Sequence, residues 1–184
     1  MVEADSTGTI DNHEITLRVE RCGFRLAVGV DLRSRNVIRR SIFNDSFVAW
    51  LTSAAFSGNS GDFNISYDTN NNPINVNNAF FQACSPANAD VGCLGNPSTD
   101  ACKLGDSELQ GTGFYDPGSN CSQNDSGGGS TSWLTTQAPV QPGETITLQF
   151  IVWDTGDQVY DSSVLLDNWQ WQAGDTSVVT HPVN

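Results

Sequence analysis

At 184 residues and 19.8 kDa the chain is long enough for one domain and one core, burying roughly two-thirds of the surface its unfolded form exposes. A net charge of −13 and a pI near 4.1 set the protein against nucleic acid and anionic membranes, both of which would repel it, and make cations its natural counterpart. No apolar run approaches the roughly 20 residues of a membrane span, and none reads as a signal peptide, so direct membrane insertion is not expected.

The first 42 residues differ in composition from the rest. Arg18, Arg21, Arg25, Arg33, Arg35, Arg39 and Arg40 fall there, leaving Lys103 as the one basic residue beyond them. A basic binding edge or a shifted start site or reading frame would each account for this. Glu14–Glu20 and Phe24–Val30 have strand character, and Phe43–Thr52 follows. Phe63–Tyr67 and Ile74–Phe81 read as a further pair around the turn Asn70-Asn71-Asn72-Pro73.

Residues 84–132 hold few apolar side chains and run into Gly127-Gly128-Gly129-Ser130, the make-up of a long loop insertion. Cys84, Cys93, Cys102 and Cys121 cluster there, where free thiols would be exposed, so an oxidising compartment and two disulfides are expected. Three pairings are possible, and Cys22 is the odd one. Zinc is the competing reading, but no CxxC pair is present.

After the turn Gln141-Pro142-Gly143, period-two alternation is clearest in Thr145–Trp153, with Ile146, Leu148, Phe150 and Val152 on one face. Asp161–Gln172 follows, and the short link at Thr155–Val159 predicts an antiparallel hairpin between the two. About seven strands with frequent turns and scarce helix formers point to an all-β, two-sheet antiparallel β-sandwich, jelly-roll-like, over residues 1–184, carrying the disulfide-pinned insertion.

Asp154, Asp157, Asp161, Asp167 and Asn168 bracket the link between the last two strands. Calcium takes 6–8 oxygen ligands, and such a loop can supply several, with Asn44 and Asp45 as additions. The plainer alternative is a set of solvated turn aspartates, since no EF-hand loop is present. Trp133, Trp153, Trp169 and Trp171 could stack on sugar rings, although tryptophans in such folds usually fill the core. Trp133 is the preferred ligand contact. Asn64-Ile65-Ser66, Asn120-Cys121-Ser122 and Asn124-Asp125-Ser126 fit the glycosylation sequon.

Signals for catalysis are weak. The two histidines, His13 and His181, lie near the termini, GxSxG and HExxH are absent, and Glu108 and Glu144 do not form a carboxylate-pair motif. No catalytic residue is assigned.

Three ordered blocks carry a resemblance. They are Phe43-Asn44-Asp45-Ser46-Phe47-Val48-Ala49-Trp50-Leu51, then Pro73-Ile74-Asn75-Val76-Asn77-Asn78, then a late stretch ending Tyr160-Asp161-Ser162-Ser163-Val164-Leu165-Leu166-Asp167-Asn168. The chain resembles the choice-of-anchor L type of bacterial extracellular domain over roughly residues 43–81 and 129–172. That resemblance implies an exported or surface-attached β-sandwich domain with no established enzymatic activity. Where the family has an acidic, aromatic segment before its first block, this chain has Arg33-Ser34-Arg35-Asn36-Val37-Ile38-Arg39-Arg40.

The reading is a secreted or cell-surface binding or adhesion domain, calcium-stabilised, recognising a glycan or another surface protein. A structural subunit of a fibre or coat is the alternative, and a glycan-active hydrolase a more distant one.

Overall fold

A computed structural model describes residues 2–4, 11–18, 24–34, 45–58, 61–68, 70–75, 80, 82–84, 104–115, 128–154, 162–174 and 177–183, with residues 2–34, Cys84 and Asp154 described by their backbone alone. Among them there are strands and turns and no helix. The strands are β1 (Val2–Ala4), β2 (Asp11–Arg18), β3 (Phe24–Ser34), β4 (Asp45–Thr52), β5 (Ile74–Asn75), β6 (Ala83–Cys84), β7 (Gly129–Ser130), β8 (Leu134–Val140), β9 (Thr145–Asp154), β10 (Ser162–Ala173) and β11 (Val179–Pro182).

They form two antiparallel sheets. One has seven strands, with β1, β10 and β3 side by side, β3 continuing to both β7 and β8, β6 outside β7 and β11 outside β8. The other has four, in the order β2-β9-β4-β5. The compositionally distinct N-terminal segment thus supplies a strand flanking β9 and the strand at the centre of the larger sheet.

Alternation in β9 dictates which face is buried. Ile146, Leu148, Phe150 and Val152 are essentially inaccessible, and their register partners Leu51, Ala49 and Phe47 on β4 lie on the same face. Phe47 and Phe150 stack with ring centroids 6.2 Å apart. Leu134, Ala138 and Val140 of β8 and Val164 of β10 join this cluster from the other sheet, so both sheets supply one core.

The hairpin expected between the last two long strands does not form. β9 is already flanked by β2 and β4, leaving no free edge for β10, so the chain crosses from the smaller sheet to the larger. Strand β8 was not legible as such: its inward positions Leu134, Thr136, Ala138 and Val140 include a threonine, and Pro139 reads as a strand breaker.

The regular strand expected at Phe63–Tyr67 is also corrected. Leu51 N donates to Phe63 O at 3.0 Å and Ile65 N to Ala49 O at 2.8 Å, but the Asn64 side chain takes the next rung, accepting from Ala49 N at 3.1 Å. The chain then leaves the edge at Tyr67, returns at Pro73 through an isolated bridge, and resumes beside β4 as β5. The edge is one interrupted strand with an inserted turn.

Strands β6 and β7 pair through Ala83↔Ser130 and Cys84↔Gly129, so a backbone ladder joins the two ends of the long insertion. Within it, residues 104–115 fold into turns around fully buried Leu109, and a Cβ at Gly128 would lie 2.2 Å from the Phe114 carbonyl oxygen. Cys22, Cys93, Cys102, Cys121 and the Cys84 side chain, and with them the expected disulfides, lie outside the described residues.

Candidate functional site

Backbone register gathers the polar segments at one end of the molecule. Asp45, the first residue of β4, is the register partner of Asp154, the last of β9. Ser162 opens β10 on the larger sheet, and its hydroxyl donates to Asp45 Oδ2, joining the two sheets through two buried side chains. Ser34 of β3 pairs with both Ser162 and Gly129. The ends of the insertion therefore sit beside the Asp154–Ser162 link, with Trp133 a few residues beyond β7.

Of the calcium candidates, the structure brings Asp45 and Asp154 together. Asn44, Asp157 and Asp161 lie outside the described residues, and the Asp154 side chain is likewise outside them. Asp167 and Asn168 are not at this end: five strand residues beyond Ser162 carry them about 17 Å along β10. Among the described residues, no group of three or more His, Cys, Asp or Glu could hold a metal.

Asp167 and Asn168 instead build a β-bulge. The register with β3 shifts between Asp167 and Gln170, and Asn168 has φ of 55°, the left-handed region that asparagine tolerates better than most residues. Asp167 Oδ1 accepts from Asn168 N at 2.7 Å, and Gln170 Nε2 donates to Asn168 Oδ1 at 2.6 Å. The extra residue changes the strand's phase. Val164 and Leu166 face the core before it, and Trp169 and Trp171 face the core after it, edge to face with centroids 5.6 Å apart. These two tryptophans pack against the core cluster, whereas Trp133 and Trp153, both half-buried, are not among the residues packed on it; Trp133 is the preferred sequence-predicted contact. Its carbonyl accepts from Val183 N at 2.9 Å.

Glu144, Glu108 and His181, considered for catalysis, have side-chain partners, and the His13 side chain lies outside the described residues. Glu144 accepts from Ser53 Oγ at 2.7 Å and from Ala54 N at 2.5 Å, and Gln141 N donates to it as well, tying the turn at Gly143 (φ 79°) to the loop after β4. Glu108 accepts from Ser132 Oγ at 2.8 Å, fixing the insertion's turns to the segment before β8. His181 Nε2 lies 3.1 Å from Gln137 Nε2.

A pocket of about 300 Å³ opens on the flank, between the inserted turn of the small sheet's edge and β11. Phe56, Tyr67, Asp68, Asn71, Val178, Val179 and Thr180 line it. Behind it a buried hydroxyl chain joins the sheets: Thr136 Oγ1 lies 2.9 Å from Thr180 Oγ1 and 3.5 Å from Ser66 Oγ. The Tyr67 hydroxyl donates to Asn64 O, and burial, reinforced by the Asp62 carboxylate, raises its pKa above the ordinary tyrosine value. Sequence reasoning missed this pocket because its residues come from three separated segments, each reading as ordinary core or turn.

Residues 36–171 match the family model of the Choice-of-anchor L domain. The chain belongs to the choice-of-anchor L family. No curated protein and no solved structure matches it. Membership makes it a bacterial surface-associated domain.

The geometry gives this choice-of-anchor L domain's three sequence blocks a common place. Asp45 of the first is hydrogen-bonded to Ser162 of the third, while Ile74 and Asn75 of the second pair with Phe47 and Ser46 of the first. Segments more than a hundred positions apart thus meet at the start of β4 (|i−j| of 117 for Asp45 and Ser162). The match begins at residue 36, within the arginine-rich stretch Arg33–Arg40.

Proposed function

We propose that the protein is a secreted or cell-surface binding and adhesion domain that recognises a glycan or another surface protein and performs no catalysis. The observation that carries this reading is the gathering of the insertion's ends, the Asp154–Ser162 link and Asp45 at one end of two sheets that share a core. A β-body from one end of which polar chain segments depart is suited to recognition, because connecting segments tolerate variation that strands do not. The two sheets are taken as the faces of a jelly-roll-like β-sandwich.

Calcium is proposed to bind at that end. Asp45 and Asp154 are adjacent by register, Asn44 precedes the first, and Asp157 and Asp161 lie in the link that follows the second. An ion needing 6–8 oxygens could draw on these carboxylates and on loop carbonyls. Two disulfides among Cys84, Cys93, Cys102 and Cys121 are proposed to pin the insertion, with Trp133 as a ligand contact.

Thermal unfolding of the oxidised protein in calcium, in magnesium and in chelator tests the ion. A native-state site should raise stability by about 2.7 kcal/mol at a hundred-fold excess over Kd, an increase that Asp161→Ala should abolish. Equal curves in all three conditions would remove calcium from the reading.

A further inference from the structure

The flank pocket has the attributes of a ligand site distinct from the loop end. Its outer wall is the inserted turn, which is held rigidly. Asp68 N donates to Asn72 O at 2.8 Å and Asn71 N to Asp68 O at 3.1 Å, while the Asp68 carboxylate accepts from Asn70 N at 2.8 Å, Asn72 N at 2.9 Å and Asn72 Nδ2 at 3.2 Å. A wall organised before binding loses little entropy when a ligand arrives.

The lining narrows the ligand's chemistry. Phe56, Tyr67, Val178 and Val179 offer apolar surface, and Val179 is 39% exposed at the rim. Asp68, Asn71 and Thr180 offer polar groups, and no lining residue carries a positive charge. An ionised carboxylate has about four acceptor positions, and the turn uses three of Asp68's, so one is left for a donor. An anion would meet that carboxylate in a chain of net charge −13. A bare ammonium would satisfy the carboxylate but leave the apolar wall unused. The volume lies at the small end of the range for ligand pockets. A compact ring with one apolar face and several hydroxyl donors suits every one of these features.

We propose that the pocket lined by Phe56, Tyr67, Asp68, Asn71, Val178, Val179 and Thr180 binds a single neutral pyranose, the terminal sugar of a glycan. This rests on the binding-domain reading above and assigns a second, lateral site to it.

The test is saturation-transfer NMR on the full chain with the methyl glycosides of glucose, galactose and mannose. Methyl glucosaminide serves as a cationic arm and the methyl glycoside of sialic acid as an anionic one. At least one neutral glycoside should saturate. Val179→Trp, which fills the pocket, should weaken it tenfold or more. Asn71→Gly, which keeps the positive φ of 61° and removes the amide, should weaken it roughly tenfold. Thermal unfolding of both variants checks that they fold, and Asn71→Gly decides if Val179→Trp does not. The proposal is overturned if no neutral glycoside binds, if binding is unchanged in the folded variants, or if only a charged probe binds. A glycan array separates this from the wider reading: glycan binding that survives both variants refutes the pocket and keeps the binding domain, whereas no binding to any glycan removes the glycan form of both.

Discussion

Two buried polar side chains show how single residues hold this molecule together. Asp45 and Ser162 are 5% and 0% exposed, and the hydrogen bond between them bridges the sheets away from solvent. Ser162→Ala withdraws a donor from a buried carboxylate, and hydrogen bonds to charged groups contribute about 1.5–3 kcal/mol. Urea unfolding should show a loss in that range with an unchanged m-value; a loss below about 0.5 kcal/mol would mean that other donors to Asp45 suffice. Tyr67 makes a different prediction. Its folded pKa is raised by burial and then by Asp62, so the native state holds this proton more tightly than the unfolded chain does. Below the ordinary tyrosine pKa of about 10 both states are protonated and the group is neutral in its effect. As pH climbs past that value the unfolded state ionises first, and stability falls until the folded value is reached. Urea midpoints measured from pH 8 to 11.5 should therefore decline at the alkaline end, and less steeply in Tyr67→Phe.

Among the elements, β10 shows most clearly what sequence pattern can and cannot reveal. Val164 and Leu166 keep one phase, and Trp169 and Trp171 the opposite one, a mismatch that a regular strand cannot bury. The bulge at Asn168 resolves it, and the left-handed backbone there explains why an asparagine occupies the position. Asn168→Val places a β-branched side chain at positive φ and should cost about 1–3 kcal/mol, whereas Asn168→Gly should be near neutral. Differential scanning calorimetry of the pair would decide it; equal melting temperatures would mean that the bulge moves at no cost. Strand β9 was legible because it alternates against a uniform apolar face, and β4 because Phe47–Leu51 is a continuous apolar run. Strand β8 was hidden by a threonine whose hydroxyl meets Thr180 and Ser66, partners 44 and 70 positions away. At residues 63–75 the turn Asn70-Asn71-Asn72-Pro73 and the extended chain on either side were legible, but the broken ladder was not, since Asn64 substitutes a side-chain rung for a backbone one. Of the candidate site, Asp45 and Asp154 could be named from sequence because both flank recognisable strands. Asp167 and Asn168 were misplaced with them because distance along a strand is invisible until the sheet crossing after β9 is known. The family blocks were readable early, yet the reason they belong together, their convergence at the start of β4, needed the register.

At the scale of the whole molecule, charge is the unbalanced quantity. A net charge of −13 on 184 residues opposes compaction by self-repulsion, and simple salt should relieve part of that without any site. Raising sodium chloride from about 0.05 to 0.5 M shortens the Debye length from about 14 Å to about 4 Å, so long-range repulsion between exposed carboxylates is largely screened. The melting temperature should rise across that series and level off as the Debye length falls below the spacing of the surface charges. This screening sets the baseline against which an ion site must be judged. Calcium and magnesium screen alike at equal ionic strength, whereas an oxygen cage suited to calcium discriminates between them by size and by magnesium's reluctance to lose water. With sodium chloride already at 0.5 M, a calcium-specific site should still raise the melting temperature at millimolar calcium, and magnesium should add little. If calcium's effect instead disappears in high salt, it acts only as a counterion, and the carboxylates at the start of β4 and the end of β9 serve the fold through bonds such as that from Ser162 to Asp45.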